Sequence, residues 1–84
     1  MNLLKLYIYR TIQEYNDPPN ENFPDHEHAD DELLVILEGE MLLTMESKEY
    51  VLKPGDELLV SAKVIHAAKM GSSGCKYIVG EKTT

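Results

Sequence analysis

The sequence predicts an all-β fold, a small barrel or sandwich, on three observations. Short apolar runs rich in β-branched and aromatic residues recur at regular spacing. Clusters of Gly, Pro, Asn, Asp and Ser punctuate the intervals between them. No segment carries a 3.6-residue apolar stripe of the kind that marks an amphipathic helix.

Residues 3–9 alternate weakly and are β-prone, whereas residues 16–22 contain Pro18, Pro19 and several turn formers and read as a loop. Residues 33–37 and 41–45 flank Glu38-Gly39-Glu40, which reads as the turn of a hairpin. Residues 50–52 lead into Pro54-Gly55-Asp56, and residues 57–60 leave it as the next strand. Residues 64–70 and 76–79, separated by Gly71-Ser72-Ser73-Gly74, complete the series. Leu33 to Leu37 is wholly apolar, as expected of a strand covered on both faces. Side chains alternate along a strand, so Leu34 and Ile36 should share the inward face of Glu32, while Leu33, Val35 and Leu37 face outward and need cover.

At 84 residues the chain is a single domain, residues 1–84. A domain of this size buries only about 60–70% of its unfolded surface, so a second copy would add stability. A homodimer through the outward apolar face is therefore expected; the alternative is that residues 3–9 cover that face within one chain. The net charge of −7, with Lys and Arg scattered, argues against nucleic-acid or anionic-membrane partners. No apolar run approaches the ~18 residues of a membrane helix. The opening MNLLKLYIYR is interrupted by Lys5 and Tyr7 and lacks a signal-peptide layout, which points to the cytoplasm. Cys75 is the sole cysteine, so no internal disulfide forms, and packing is its expected role.

The chemistry concentrates in PDHEHADDELLVILEG. His26 and His28, two apart on an extended segment, project from one face and can bind one ion together. Glu32 would return from the following strand, and His66 follows the Pro54-Gly55-Asp56 turn. Three neutral imidazoles and one carboxylate suit a divalent first-row transition metal (Mn, Fe, Co, Ni, Cu or Zn) and do not suit calcium. Asp25, Glu27, Asp30 and Asp31 read as solvated loop charges, with second-sphere contact to a ligand imidazole as their alternative use. Phe23 can close one side of a pocket or anchor its loop. Asp56 reads as a turn residue. Arg10, the sole arginine, and Lys63 are the cations available to hold an anion.

His26, His28, Glu32 and Gly39 resemble, without a gap, the first motif of the cupin family: His-x-His, three residues, Glu, six residues, Gly. The second motif usually reads Gly, five residues, Pro-x-Gly, two residues, His, three residues, Asn. Gly55 and His66 match it in register, with Ser61 in place of Pro, Lys63 in place of Gly and Met70 in place of Asn. Asn20 stands where a glycine commonly opens the first motif. Fifteen residues, Glu40 to Pro54, separate the motifs, a short spacing typical of small members. The resemblance implies a jelly roll, also called a double-stranded β-helix barrel. It also implies a metal held by His26, His28, Glu32 and His66, a small-molecule ligand, and pairing of subunits through their sheets. The activity expected is a metal-dependent enzyme of dioxygenase, decarboxylase, isomerase or lyase type; the alternative is a non-catalytic module that binds metal or a small molecule, as a sensor would. The catalytic residues beyond the ligands are not identified by any motif.

Overall fold

The computed structural model describes residue 6 and residues 8–82. Six strands follow in order: β1 (Thr11–Asp17), β2 (Asn22–His26), β3 (Asp31–Met45), β4 (Lys48–Leu52), β5 (Glu57–Val60) and β6 (His66–Lys82). All pairings are antiparallel, in one sheet whose main path runs β1-β6-β3-β4, with β2 also on β6 and β5 also on β3.

The two long strands organise everything else. The first half of β3 pairs with the second half of β6 and with β5, in registers that include Leu34↔Val79 and Leu34↔Leu58. Its second half pairs with the first half of β6 and with β4, as at Leu43↔Ala68 and Leu43↔Tyr50. Between these halves the register shifts twice, from Ile36 to Glu38 and from Gly39 to Met41. Bulges of this kind sharpen twist and bend a strand, which lets one sheet curl around a core.

The hairpin turn expected at Gly39 is therefore not there: residues 33–37 and 41–45 belong to one continuous strand. The turn expected at residues 71–74 is likewise absorbed into β6. The glycines that read as turns lie against each other instead, Gly39 at φ +78° and Gly74 at φ +79°. A Cβ on Gly39 would stand 2.0 Å from the Gly74 carbonyl oxygen, so close approach as well as dihedral angle requires glycine here. The expected strands at residues 50–52 and 57–60 are present as β4 and β5. Asp56 acts as the turn residue between them, its carboxylate accepting from the Lys53 amide at 2.8 Å. Of the β-prone segment at residues 3–9, Leu6 and Ile8 adopt 3₁₀ geometry, and residues 3–5 and 7 lie outside the described residues.

Alternation sorts the apolar residues into two clusters. Leu34, Ile36, Met41, Leu43, Met45, Met70 and Val79 form the inner core, with Ile36 fully buried. Leu33 and Val35, on the opposite face, pack under Leu6, Tyr9 and Ile78. The outward apolar face is thus covered in part by the chain's own N-terminal segment. Cys75 is buried in the inner core, as its packing role requires.

Candidate metal centre

The three histidines come from three different places in the chain. His26 ends β2, His28 follows two residues on, and His66 opens β6. Strand pairing sets His26 directly opposite His66. Two contacts then tie the loops that carry the rings. The Lys63 amide donates to the His28 carbonyl at 2.8 Å, and the Asp31 carboxylate accepts from the Ala62 amide at 2.7 Å. Asp31 is therefore a buttress joining the loop before His66 to the start of β3, not a solvated loop charge.

The rings converge, with centroids 4.2 Å apart for His26 and His66, 4.9 Å for His26 and His28, and 5.1 Å for His28 and His66. One nitrogen from each lies within 4.8 Å of the others, so small ring movements reach the roughly 2.0–2.1 Å bonds that imidazole nitrogens make to one ion. Backbone hydrogen bonds select which nitrogen is offered. Nδ1 of His26 donates to the Pro24 carbonyl at 2.7 Å, and Nδ1 of His66 to the Val64 carbonyl at 2.9 Å. With Nδ1 protonated, Nε2 keeps its lone pair, which is the usual way a ligand imidazole is oriented. Burial, and after it the neighbouring imidazoles of His26 and His66, lower the pKa of His28, against a smaller opposing pull from Glu81. A lowered pKa keeps the ring neutral, the form that ligation needs. The donor set fits a transition metal.

Glu32, the second residue of β3, is buried in the same pocket. Its carboxylate lies 3.5 Å from Nδ1 of His28, an approach rather than a good hydrogen bond, and it stands outside the close group of three imidazole nitrogens. Burial, with added repulsion from Glu81 and Asp30, pushes the Glu32 carboxyl up to about 7.

The histidines open into a cavity of about 220 Å³. Phe23, Leu34, Met41 and Leu43 line it; of the two uses the sequence leaves open for Phe23 the pocket wall is the one found, and Leu34 takes the interior position expected of it. Tyr15, Tyr77 and Glu81 also line it, and none of them stands near a motif. Only strand register could have found them: Glu81 is the cross-strand partner of Glu32, and Tyr15 is that of Tyr77. Tyr15 and Tyr77 stack at 5.5 Å, and the Tyr77 hydroxyl donates to Asp17 at 2.5 Å. Arg10 and Lys63, the cations available for an anion, do not line this cavity.

An antiparallel sheet curled around three convergent imidazoles defines a small β-barrel protein with a candidate transition-metal centre. The family profile described as "Cupin domain" matches residues 13–79, most of the chain, and the chain belongs to that family. No curated protein matches the sequence. Among solved structures, a cupin superfamily protein from Desulfitobacterium hafniense is 21% identical with a TM-score of 0.72, covering 88% of this chain and 80% of the other. A protein of unknown function from Rhizobium leguminosarum superposes with a TM-score of 0.83 at 15% identity, covering 88% and 70%. A DMSP lyase from Ruegeria pomeroyi is 25% identical with a TM-score of 0.78, covering 84% of this chain but 36% of the lyase.

Proposed function

We propose that this cupin is a metal-dependent enzyme acting on a small molecule, with His26, His28 and His66 holding one divalent first-row ion and Glu32 as the fourth ligand or its close neighbour. The observation that carries the reading is the convergence of three imidazoles, two of them fixed by main-chain carbonyls to present Nε2 at a cavity. A metal bound there supplies a Lewis-acid or redox centre. The chain's own residues do the rest. Phe23, Leu34 and Met41 give the ligand an apolar wall that limits water, and Glu32, with its carboxyl near 7, can hold or release a proton close to neutral pH. Similarity to the DMSP lyase, of which this chain spans 36%, supports assaying lyase chemistry first, with dioxygenase, decarboxylase and isomerase chemistry next.

Elemental analysis of untagged protein purified without added metal tests the first step. About one transition ion per chain is expected, and a content near zero that does not rise on reconstitution overturns the reading. Turnover of candidate substrates by the loaded protein tests the second step.

A second reading, a non-catalytic binding module, is favoured by one observation: both phenols on the cavity wall already donate, Tyr77 to Asp17 and Tyr15 to Gln13, so among the described residues the uncommitted acid–base groups of the cavity are its histidines and carboxylates. Such a module would show a rise in melting temperature with ligand and no conversion.

We read the protein as cytoplasmic, supported by the unpaired, buried Cys75; no helix among the described residues is long and apolar enough to cross a membrane. We also propose a homodimer through the outer face. Leu33 and Val35 are covered within the chain, so its apolar contacts fall to Ile8 and Leu59, 64% and 50% exposed beside them. Light scattering coupled to size exclusion decides this: a monomer mass unaffected by Leu59→Asp defeats the dimer.

A further inference from the structure

The apolar wall of the cavity has a gap in it. Strand register sets Phe23 of β2, Ala68 of β6 and Leu43 of β3 in one row across the inner face, a single methyl between two large side chains. Ala68 is the smallest side chain among the described residues lining the cavity, and it is only partly buried although it faces inward. The rows on either side close the ends. Two residues back along β6 stands His66 opposite His26, and two residues on stands Met70 opposite Met41, both methionines at 2% exposure or less. A bulge helps to build this arrangement. Phe23 and His26, three apart, would face opposite ways on a regular strand, and the irregularity between them lets both line the cavity. The result is a trough with imidazoles at its mouth, Phe23 and Leu43 as its sides, and Met41 and Met70 as its floor.

We propose that Ala68 is a specificity-determining residue: its short side chain leaves a slot, one hydrocarbon chain wide, for the unbranched apolar arm of a small ligand whose polar group sits at the histidines. This rests on the reading of the cavity as the ligand site, and it names a shape class for the ligand whatever its charge. The walls set the width. Neighbouring strands lie about 4.7–4.9 Å apart, so the backbones of Phe23 and Leu43 stand roughly 9.5 Å apart across Ala68. A carbon midway between them is close to the roughly 3.5–4.0 Å of optimal contact with both walls, and a second chain abreast does not fit. Strand rise sets the length. Two residues span about 7 Å, so an arm of a few carbons runs from the His66 row over Ala68 before Met70 stops it. A larger side chain at residue 68 would take the arm's place without touching a histidine.

The test titrates ethanol, n-propanol, n-butanol and tert-butanol into the metal-free full chain and follows amide chemical shifts. These probes carry no charge and need no ion. The metal reading can therefore fail on elemental analysis and leave this result standing, or hold while this one fails. In the native protein the shifts should centre on Phe23, Leu43 and Ala68, and affinity should rise about three- to fourfold with each added methylene. The branched isomer tert-butanol should bind several-fold more weakly than n-butanol. Ala68→Leu, which fills the slot from within, should lose the dependence on chain length while unfolding in urea no earlier than the native protein. Ala68→Ser, which keeps the slot open, should retain that dependence. Shifts centred elsewhere, affinity flat with chain length, or tert-butanol binding as well as n-butanol overturns the proposal. So does a destabilised Ala68→Leu chain, because close packing would then demand alanine, and so does one that keeps the native length dependence.

Discussion

Two ends of the same cavity handle their polar atoms in opposite ways. At the histidine end, two imidazoles spend one nitrogen on main-chain carbonyls and leave the other uncommitted. At the tyrosine end, the Tyr77 hydroxyl is given to Asp17, its ring stacks on Tyr15, and Cys75 is buried beneath. Burial holds the thiol and the phenol protonated, pushing Cys75 up to about 11 and raising Tyr77 well above the ordinary tyrosine range. The first arrangement keeps donor capacity for a ligand, and the second consumes it within the protein. Buried polar groups that satisfy one another stabilise a fold, whereas groups kept open cost stability and mark a site.

The largest expected effect breaks the histidine end. His66→Ala should weaken binding of Zn or Co by roughly 100-fold or more, since even loss of an outer-sphere partner costs 10- to 100-fold. Competition with a chelator of known affinity measures it. Unchanged affinity would show that the convergent rings are not the ligands.

Next is the cost of the buried carboxylate in the metal-free protein. The folded pKa of Glu32, about 7, lies above its ordinary value of 4.5, so the folded state binds the proton more tightly than the unfolded chain does. The resulting stabilisation is fully present below about pH 4.5 and is lost as pH rises through 7. Glu32→Gln should therefore stabilise the metal-free chain by about 2–3 kcal/mol at pH 8 and by little at pH 5. Comparing variant with native protein cancels the opposing histidine contribution, because the lowered pKa of His28 removes stability as pH falls. Urea titrations at the two pH values would show it.

At the other end, Tyr77→Phe removes the hydroxyl from Asp17 and leaves that carboxylate without its partner. A loss of about 1–2 kcal/mol is expected, with metal affinity unchanged. If metal affinity fell with stability, the two ends would be coupled and the contrast between them wrong.

The smallest effect concerns Lys63, which adopts φ +63° in the loop before His66. Asn20 has φ +62°, and both occupy positions where the family usually places glycine. A left-handed lysine is strained, while glycine is not, so Lys63→Gly should stabilise by about 0.5 kcal/mol after the entropy that glycine adds to the unfolded chain. The backbone bond from Lys63 to the His28 carbonyl should survive the change.

Much of this was legible because the convergent histidines and Glu32 lie in short, locally readable motifs, and because alternation through Leu33, Leu34, Val35 and Ile36 reports two covered faces. What could not be read follows from two physical limits. Strand β1, Thr-Ile-Gln-Glu-Tyr-Asn-Asp, is an edge strand whose residues are nearly all exposed, so no apolar pattern announces it. Gly39 and Gly74 carry the composition of turns, yet they work as a facing pair inside long strands, and only the partner strand distinguishes the two uses. Glu81, Tyr15 and Tyr77 reach the cavity through long-range register, to which local sequence is blind.

The carbonyl bonds of His26 and His66 also bear on proton traffic. With an ion on the free nitrogen, a ring that holds the other's proton against the main chain would have no proton to trade and no lone pair to accept one. As ligands, those two histidines would be anchors, not relays. A proton passing through the cavity would be left to His28 and Glu32, whose carboxyl near 7 is the group poised to carry it.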